Sequence, residues 1–269
     1  MKVKYKNILK ALVLASFFSI FSFGYSDDKS IENAQWGYVG AEGPVHWGNL
    51  SEKYKECAIG KQQSPINIVT TKAVKGNESD KVKIDYHLHV KSILNNGHTI
   101  QILFKPGSYI FIGKQKYELK QMHFHTPSEN YVDGKEYPFE AHFVNISKDG
   151  KIAVLALLYQ YSNTKNNPFI NKIWSHIPKK VGETNIFGFT VNKNDSPLPN
   201  GHHSFYEYIG SLTTPPCIEA VKWIILKRKA KISKKQVQTF RNILTFNNDR
   251  PIQKANNRKI SFNKNNKVI

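Results

Sequence analysis

Cysteine is scarce: Cys57 and Cys217 are the only two in 269 residues. Two thiols exclude a dense disulfide scaffold and any zinc module built from several cysteines. No apolar run reaches the roughly 18 residues that read as a membrane span. Acids are few, 20 Asp+Glu against 39 Lys+Arg, giving a formal charge of +19. That imbalance suggests an anionic partner such as nucleic acid, a membrane surface or an anionic substrate. What is present suffices for a core. With 40% hydrophobic and 12% aromatic residues, the chain is not disordered overall, and its length fits one large domain or two small ones.

Residues 1–26 read as a cleaved export signal. Lys2, Lys4, Lys6 and Lys10 form a basic start, Ala11 to Phe23 is apolar, and Gly24-Tyr25-Ser26 supplies a small-residue cut site. Their removal takes four lysines and no acids, leaving +15 on residues 27–269, one domain without repeat or linker. Short apolar segments between turn signals dominate it. Val82 to Val90 alternates strictly; Ile100–Phe104 and Tyr109–Ile112 are further strands. The continuous apolar runs Ile152–Tyr159 and Val221–Leu226 suit strands buried on both faces. Two helices are expected. One has Asn167 as cap and Pro168 at its first position; the other starts at Ser233, with Gln236 completing a capping box. The expected fold is mainly β: a single domain on a large, twisted, mostly antiparallel central sheet with a few short peripheral helices.

Ten histidines are present, and three share a pattern. Side chains alternate faces along a strand, so Gln121, His123 and His125 share one face while Met122 and Phe124 take the other. Glu140, His142 and Val144 share a face in the same way. Asp133-Gly134 between them signals a tight hairpin turn. A hairpin centred there sets His125 opposite His142, with His123 diagonal to both. Three imidazoles so spaced can converge on one tetrahedral zinc and leave a fourth position open, as catalytic zinc sites do. Gln121 and Glu140 are placed to accept the other ring N–H groups. His87 and His89 share their face with Lys81, Lys83, Asp85 and Lys91, and the lysines disfavour a cation; they read as a solvated strand face. His202 and His203 read as loop residues.

The chain resembles the α-class carbonic anhydrases of exported bacterial type. The resemblance rests on Gln35-Trp-Gly-Tyr38, Gly43-Pro-Val-His-Trp47, Gly60-Lys-Gln-Gln-Ser-Pro-Ile-Asn-Ile68, Ile93-Leu-Asn-Asn-Gly-His98, Gln121-Met-His-Phe-His125, Ser128-Glu129, Glu140-Ala-His142 and Gly210-Ser-Leu-Thr-Thr-Pro-Pro216, all in this order. It implies zinc-dependent reversible hydration of carbon dioxide to bicarbonate and a proton. Zinc would be held by His123, His125 and His142, and a zinc-bound hydroxide would attack CO2. Thr213 and Glu129 would orient the nucleophile, and His98 would shuttle the proton to buffer. Thr214, Val144, Val154, Leu212, Val221 and Trp223 would line the substrate site; Tyr38, Asn96 and Gln101 would order water. The resemblance also implies a Cys57–Cys217 disulfide that braces the Thr213 loop, cis bonds at Ser64-Pro65 and Pro215-Pro216, and a periplasmic or secreted location.

Two departures stand out. Only Thr-Pro-Ser separates His125 from Glu129, which implies a more open rim. Asn130 stands where many relatives carry a histidine; it should not touch the zinc but could alter local stability. Three other readings compete: a catalytically weak relative binding an anionic partner through its basic C-terminal flank, an unrelated three-histidine zinc hydrolase, and an anionic-surface binder. Residues 222–269 hold 14 Lys+Arg and one acid, which reads as a solvated flank. No nucleic-acid motif and no membrane span is found, the substrate is a small molecule, and a homodimer is left open.

Overall fold

The computed structural model describes residues 34–77, 81–198, 201 and 203–266; the export signal expected at 1–26 lies outside them. The main strands are β1 (His89–Asn95), β2 (Ile100–Phe104), β3 (Gln115–His125), β4 (Phe139–Ser147), β5 (Ile152–Tyr161), β6 (His203–Gly210), β7 (Val221–Leu226) and β8 (Ser261–Asn266). They belong to a 14-stranded sheet. Its order runs from Thr184–Asn185 through β1, β2, β3, β4, β5, β7, β6 and β8 to Val74–Lys75. Three pairings in it are parallel, among them β5 with β7; the rest are antiparallel. The mainly β, mostly antiparallel architecture with short helices is as expected.

Alternation along the strands builds two cores, one on each face. Met122, Phe124, Phe143, Leu155 and Leu157 pack on one side. Helices α1 (Pro168–Trp174) and α2 (Lys234–Leu244) cover that side with Phe169, Ile170, Ile173, Val237 and Phe240. Both helices start on their expected caps: Asn167 Oδ1 accepts from the Ile170 amide at 3.1 Å, and Ser233 and Gln236 form the capping box. The other face packs Ile66, Val144, Val154, Ala156, Tyr208, Val221 and Trp223. β5 contributes alternate residues to both cores, which explains its unbroken apolar run. Burying one such side chain contributes about 1.5–3 kcal/mol.

The alternating stretch 82–90 is two strands, not one. Val82–Asp85 pairs with Tyr109–Ile112, while β1 pairs with β2. The chain changes partners at 86–88 and keeps its apolar side inward throughout: Val82, Ile84, Leu88 and Val90 are all buried. His203 is also not a loop residue; it opens β6 and is buried. Ser64-Pro65 and Pro215-Pro216 are cis as expected, and so is Thr126-Pro127.

Candidate metal centre

β3 and β4 are neighbours and carry the three histidines on one face, but in a register different from that expected. His123 lies opposite His142, and His125 opposite Glu140. The Asp133-Gly134 turn is present, with Val132 bridged to Lys135. Its two arms are unequal: residues 126–131 join β3 to that bridge, and only 136–138 lead on to β4. The extra residues on the first arm slide β3 by two positions. A two-residue slip preserves the face, so the side-chain set survives and only the diagonal partner changes.

The three rings gather closely. Centroids lie 5.0 Å apart for His123–His125, 5.2 Å for His123–His142 and 4.5 Å for His125–His142. One nitrogen from each lies within 4.8 Å of the others. Each ring is oriented from behind. His123 Nδ1 donates to Gln121 Oε1 at 2.8 Å. His125 Nδ1 donates to the Asn248 carbonyl at 2.7 Å; a carbonyl can only accept, so Nε2 keeps its lone pair. His142 Nε2 lies 2.9 Å from Glu140 Oε1, although off the line of a good hydrogen bond, and its Nδ1 lies 3.9 Å from Glu129 Oε2. His125 Nε2 is buried without a partner, a costly state unless something fills it. Burial holds the His123 and His125 imidazolium forms well below the usual range, and the crowded His142 adds to this. Neutral imidazole is the form that binds metal.

Around the cluster, Glu129 is fully buried and accepts the Arg250 amide on Oε1 at 3.0 Å. Burial pushes its carboxyl well up, while the Arg250 amide and the Thr213 side chain pull it down. Its Oε2 has no partner of good hydrogen-bond geometry among the described residues. Thr213 is buried; Thr214 beside it is half-buried and accepts the Cys217 amide at 2.9 Å. The Cys57–Cys217 disulfide is formed, with Cα atoms 5.1 Å apart, and ties this turn to the short helix Glu56–Ile59. Val144, Val154, Val221 and Trp223 pack together, with Leu212 against them. The Trp223 ring meets His142 edge-on at 4.9 Å. Gln101 is paired with His123 across β2 and β3, and Asn96 Nδ2 donates to Gln101 Oε1 at 3.4 Å. Asn96 Oδ1 also accepts the His98 amide at 3.0 Å. His98 is half-buried and stacks flat on Trp36, 3.8 Å between ring centres. Tyr38 stands near the same cluster: burial, then the charge of Glu129, raises its phenol well above its usual value.

Several supporting residues lie beyond sequence reasoning. Asn248 and Arg250 reach the cluster across more than 120 positions, and no local pattern marks them. Asn130 does not touch a histidine, but its amides donate to both oxygens of Glu140, at 2.8 and 2.7 Å. It also accepts from the Tyr208 hydroxyl at 3.0 Å, and Tyr208 meets Ser64 at 3.1 Å. Ser211 completes the chain with the Ser64 amide at 2.9 Å. A Cβ at Gly210 would collide with Ser64 Oγ and the Tyr208 ring, so only glycine allows this approach. His87 pairs with Asp85 and His89 with Thr190, both away from the triad.

The family profile described as eukaryotic-type carbonic anhydrase matches residues 42–264. The chain belongs to the eukaryotic-type, or α, carbonic anhydrase family. A carbonic anhydrase of Pectobacterium carotovorum is 37% identical over 227 residues, covering 84% of this chain and 90% of that one. The α-carbonic anhydrase of Thermovibrio ammonificans, solved with the inhibitor sulfanilamide, superposes with a TM-score of 0.80 at 42% identity, covering 85% of this chain and 99% of that one. A dioscorin solved with ascorbate has the same fold, with a TM-score of 0.78 at 28% identity over 86% of this chain and 98% of that one. With bacterial carbonic anhydrases as its relatives, the chain is an enzyme of this family.

Proposed function

We propose that the chain catalyses reversible hydration of carbon dioxide at a zinc ion held by His123, His125 and His142. The observation that carries this reading is the buried, partnerless His125 Nε2 within a triad whose free nitrogens lie within 4.8 Å of one another. A tetrahedral site with Zn–N near 2.0–2.1 Å needs only modest closure of such a set. When bound, zinc supplies a nucleophile at neutral pH by lowering the pKa of its water to about 7, a value established on carbonic anhydrases themselves.

The chain's own residues do the rest. Glu129, fixed on one side by the Arg250 amide, accepts the Thr213 hydroxyl proton, so Thr213 Oγ can only accept from the nucleophile. That orients the attacking lone pair and rejects ligands without a proton to donate. The wall of Val144, Val154, Leu212, Val221 and Trp223 holds a substrate with no net dipole by dispersion, beside Thr214. Asn96, Gln101 and Tyr38 order water between the triad and His98, whose imidazole accepts the proton and passes it to buffer. Residues 1–26 direct export to the periplasm or beyond, and the disulfide suits that oxidising compartment.

The alternative, a weak catalyst binding an anionic partner through its basic C-terminal flank, starts from a smaller free charge than the sequence suggests. Arg250 is buried on Gln63, Ser64 and Cys57, and Arg258 spends its N–H groups on the carbonyls of Gln63, Lys254, Ala255 and Ile209. Metal analysis with X-ray absorption tests the reading. One zinc per chain with three nitrogen ligands at 2.0–2.1 Å is expected; a chain that stays zinc-free after loading overturns it.

A further inference from the structure

A second polar site lies apart from the histidines. A cavity of about 500 Å³ is lined by Lys135, Lys227 and Lys229, with Tyr137, Tyr206 and Asp133. Three lysines and one carboxylate line it, a formal net charge of two positive. That carboxylate is already engaged: Asp133 Oδ1 accepts the Thr70 amide at 2.7 Å and Oδ2 the Thr70 hydroxyl at 2.8 Å. Among the described residues none of the three lysines has an ion pair with an acid.

The lysines are crowded nonetheless. Lys135 Nζ and Lys229 Nζ share the ring of Tyr137, at 5.4 and 5.3 Å from its centre. Lys227 Nζ lies 5.2 Å from the Phe262 ring. Lys229 also donates to the Lys227 carbonyl at 2.7 Å, which fixes it over the cavity. Burial lowers the Lys229 ammonium below its usual value and Lys227 adds to this; Asp133 opposes them and Lys135 reinforces them. Tyr137 and Tyr206 add donors. Burial, and the charge of Asp133, raise both phenols, so both remain O–H, and neither hydroxyl has a hydrogen-bond partner among the described residues.

Unpaired like charges and idle donors around one concavity lack an acceptor of matching charge. We propose that this cavity binds a dianionic oxoanion of the phosphate class, free or as a small phosphomonoester. Two negative charges neutralise the net positive pair, and tetrahedral oxygens can take bonds from Lys135, Lys227, Lys229 and the tyrosine hydroxyls together. A monoanion such as chloride or acetate leaves one charge unanswered.

The test uses the full-length, zinc-loaded protein. Inorganic phosphate is titrated by calorimetry at fixed ionic strength, because salt screens such a site, with acetate and chloride as comparators. Phosphate is expected to bind at least tenfold more tightly than either. The double variant Lys227→Gln/Lys229→Gln is expected to lose at least tenfold in phosphate affinity with zinc content and CO2 hydration unchanged. Tyr206→Phe, which keeps the ring, is expected to lose about threefold, a readout that does not depend on the lysine variant folding. Phosphate binding that disappears on chelation belongs to the metal centre and overturns the proposal, as does binding that the lysine substitutions leave intact. Co-sedimentation with phosphatidylglycerol vesicles, without measurable binding of free phosphate, assigns the lysines to a membrane head group and likewise overturns it.

Discussion

The histidine triad and the lysine cavity settle charge in opposite ways. His123 and His125 are kept from protonating by burial, and each of these two rings donates to an acceptor behind it, Gln121 and the Asn248 carbonyl, while His142 lies against Glu140. The three lysines line an open cavity whose single carboxylate, Asp133, is occupied by Thr70. We propose a cation for the first site and an anion for the second. The difference teaches that positive charge in the sequence does not mark the reaction centre. On the proposed reading, the charge needed for chemistry enters with a metal held by the three histidines.

Substitutions break or sharpen this contrast in order of expected size. His125→Ala should abolish tight zinc binding and reduce kcat/KM for CO2 hydration by several orders of magnitude, measured by metal analysis and stopped flow, while phosphate binding at the lysines stays intact. Loss of both together would merge the two sites. Thr213→Val should lower kcat/KM by about 10²–10³-fold with zinc content unchanged; a drop in zinc content would make Thr213 structural rather than orienting.

His98→Ala should lower kcat by about 10²-fold in weak buffer and recover when imidazole is added. Burial lowers the His98 pKa from 6.5, so the neutral, proton-accepting form persists to lower pH. The acid limb of kcat in weak buffer should therefore fall below pH 6.5 and vanish in the variant; a profile identical in both proteins removes His98 from the proton path. Asn130→Leu is the smallest effect. It leaves Glu140 and the Tyr208 hydroxyl short of partners, so it should cost about 1–3 kcal/mol of stability in urea unfolding. Zinc affinity should fall about tenfold through the loosened Glu140–His142 contact. An unchanged zinc affinity would confine Asn130 to stability.

Much of the fold was legible because alternation is local. It placed His123, His125 and His142 on one face and Met122 and Phe124 in the core. The capping residues of both helices were equally readable, since Asn167 and Ser233 act within three residues. Register was not readable. The unequal arms around Asp133-Gly134 shift β3 by two residues, and nothing local announces an arm's path. The break at 86–88 was hidden for a related reason: a strand that changes partners keeps its alternation. Asn248 and Arg250 were invisible because their contacts to His125 and Glu129 are made from the far end of the chain. Asn130 was noticed only as a departure from relatives, and its hold on Glu140 emerges from packing alone.

We propose the cluster of His123, His125 and His142 as the seat of a zinc-dependent reaction. Stopped-flow CO2 hydration by the full-length protein, before chelation, after chelation and after zinc is restored, tests it most directly. Activity that disappears with zinc and returns in proportion to one zinc per chain is the predicted result. Hydration that survives complete removal of the metal, or that is absent from the zinc-loaded protein, would contradict it.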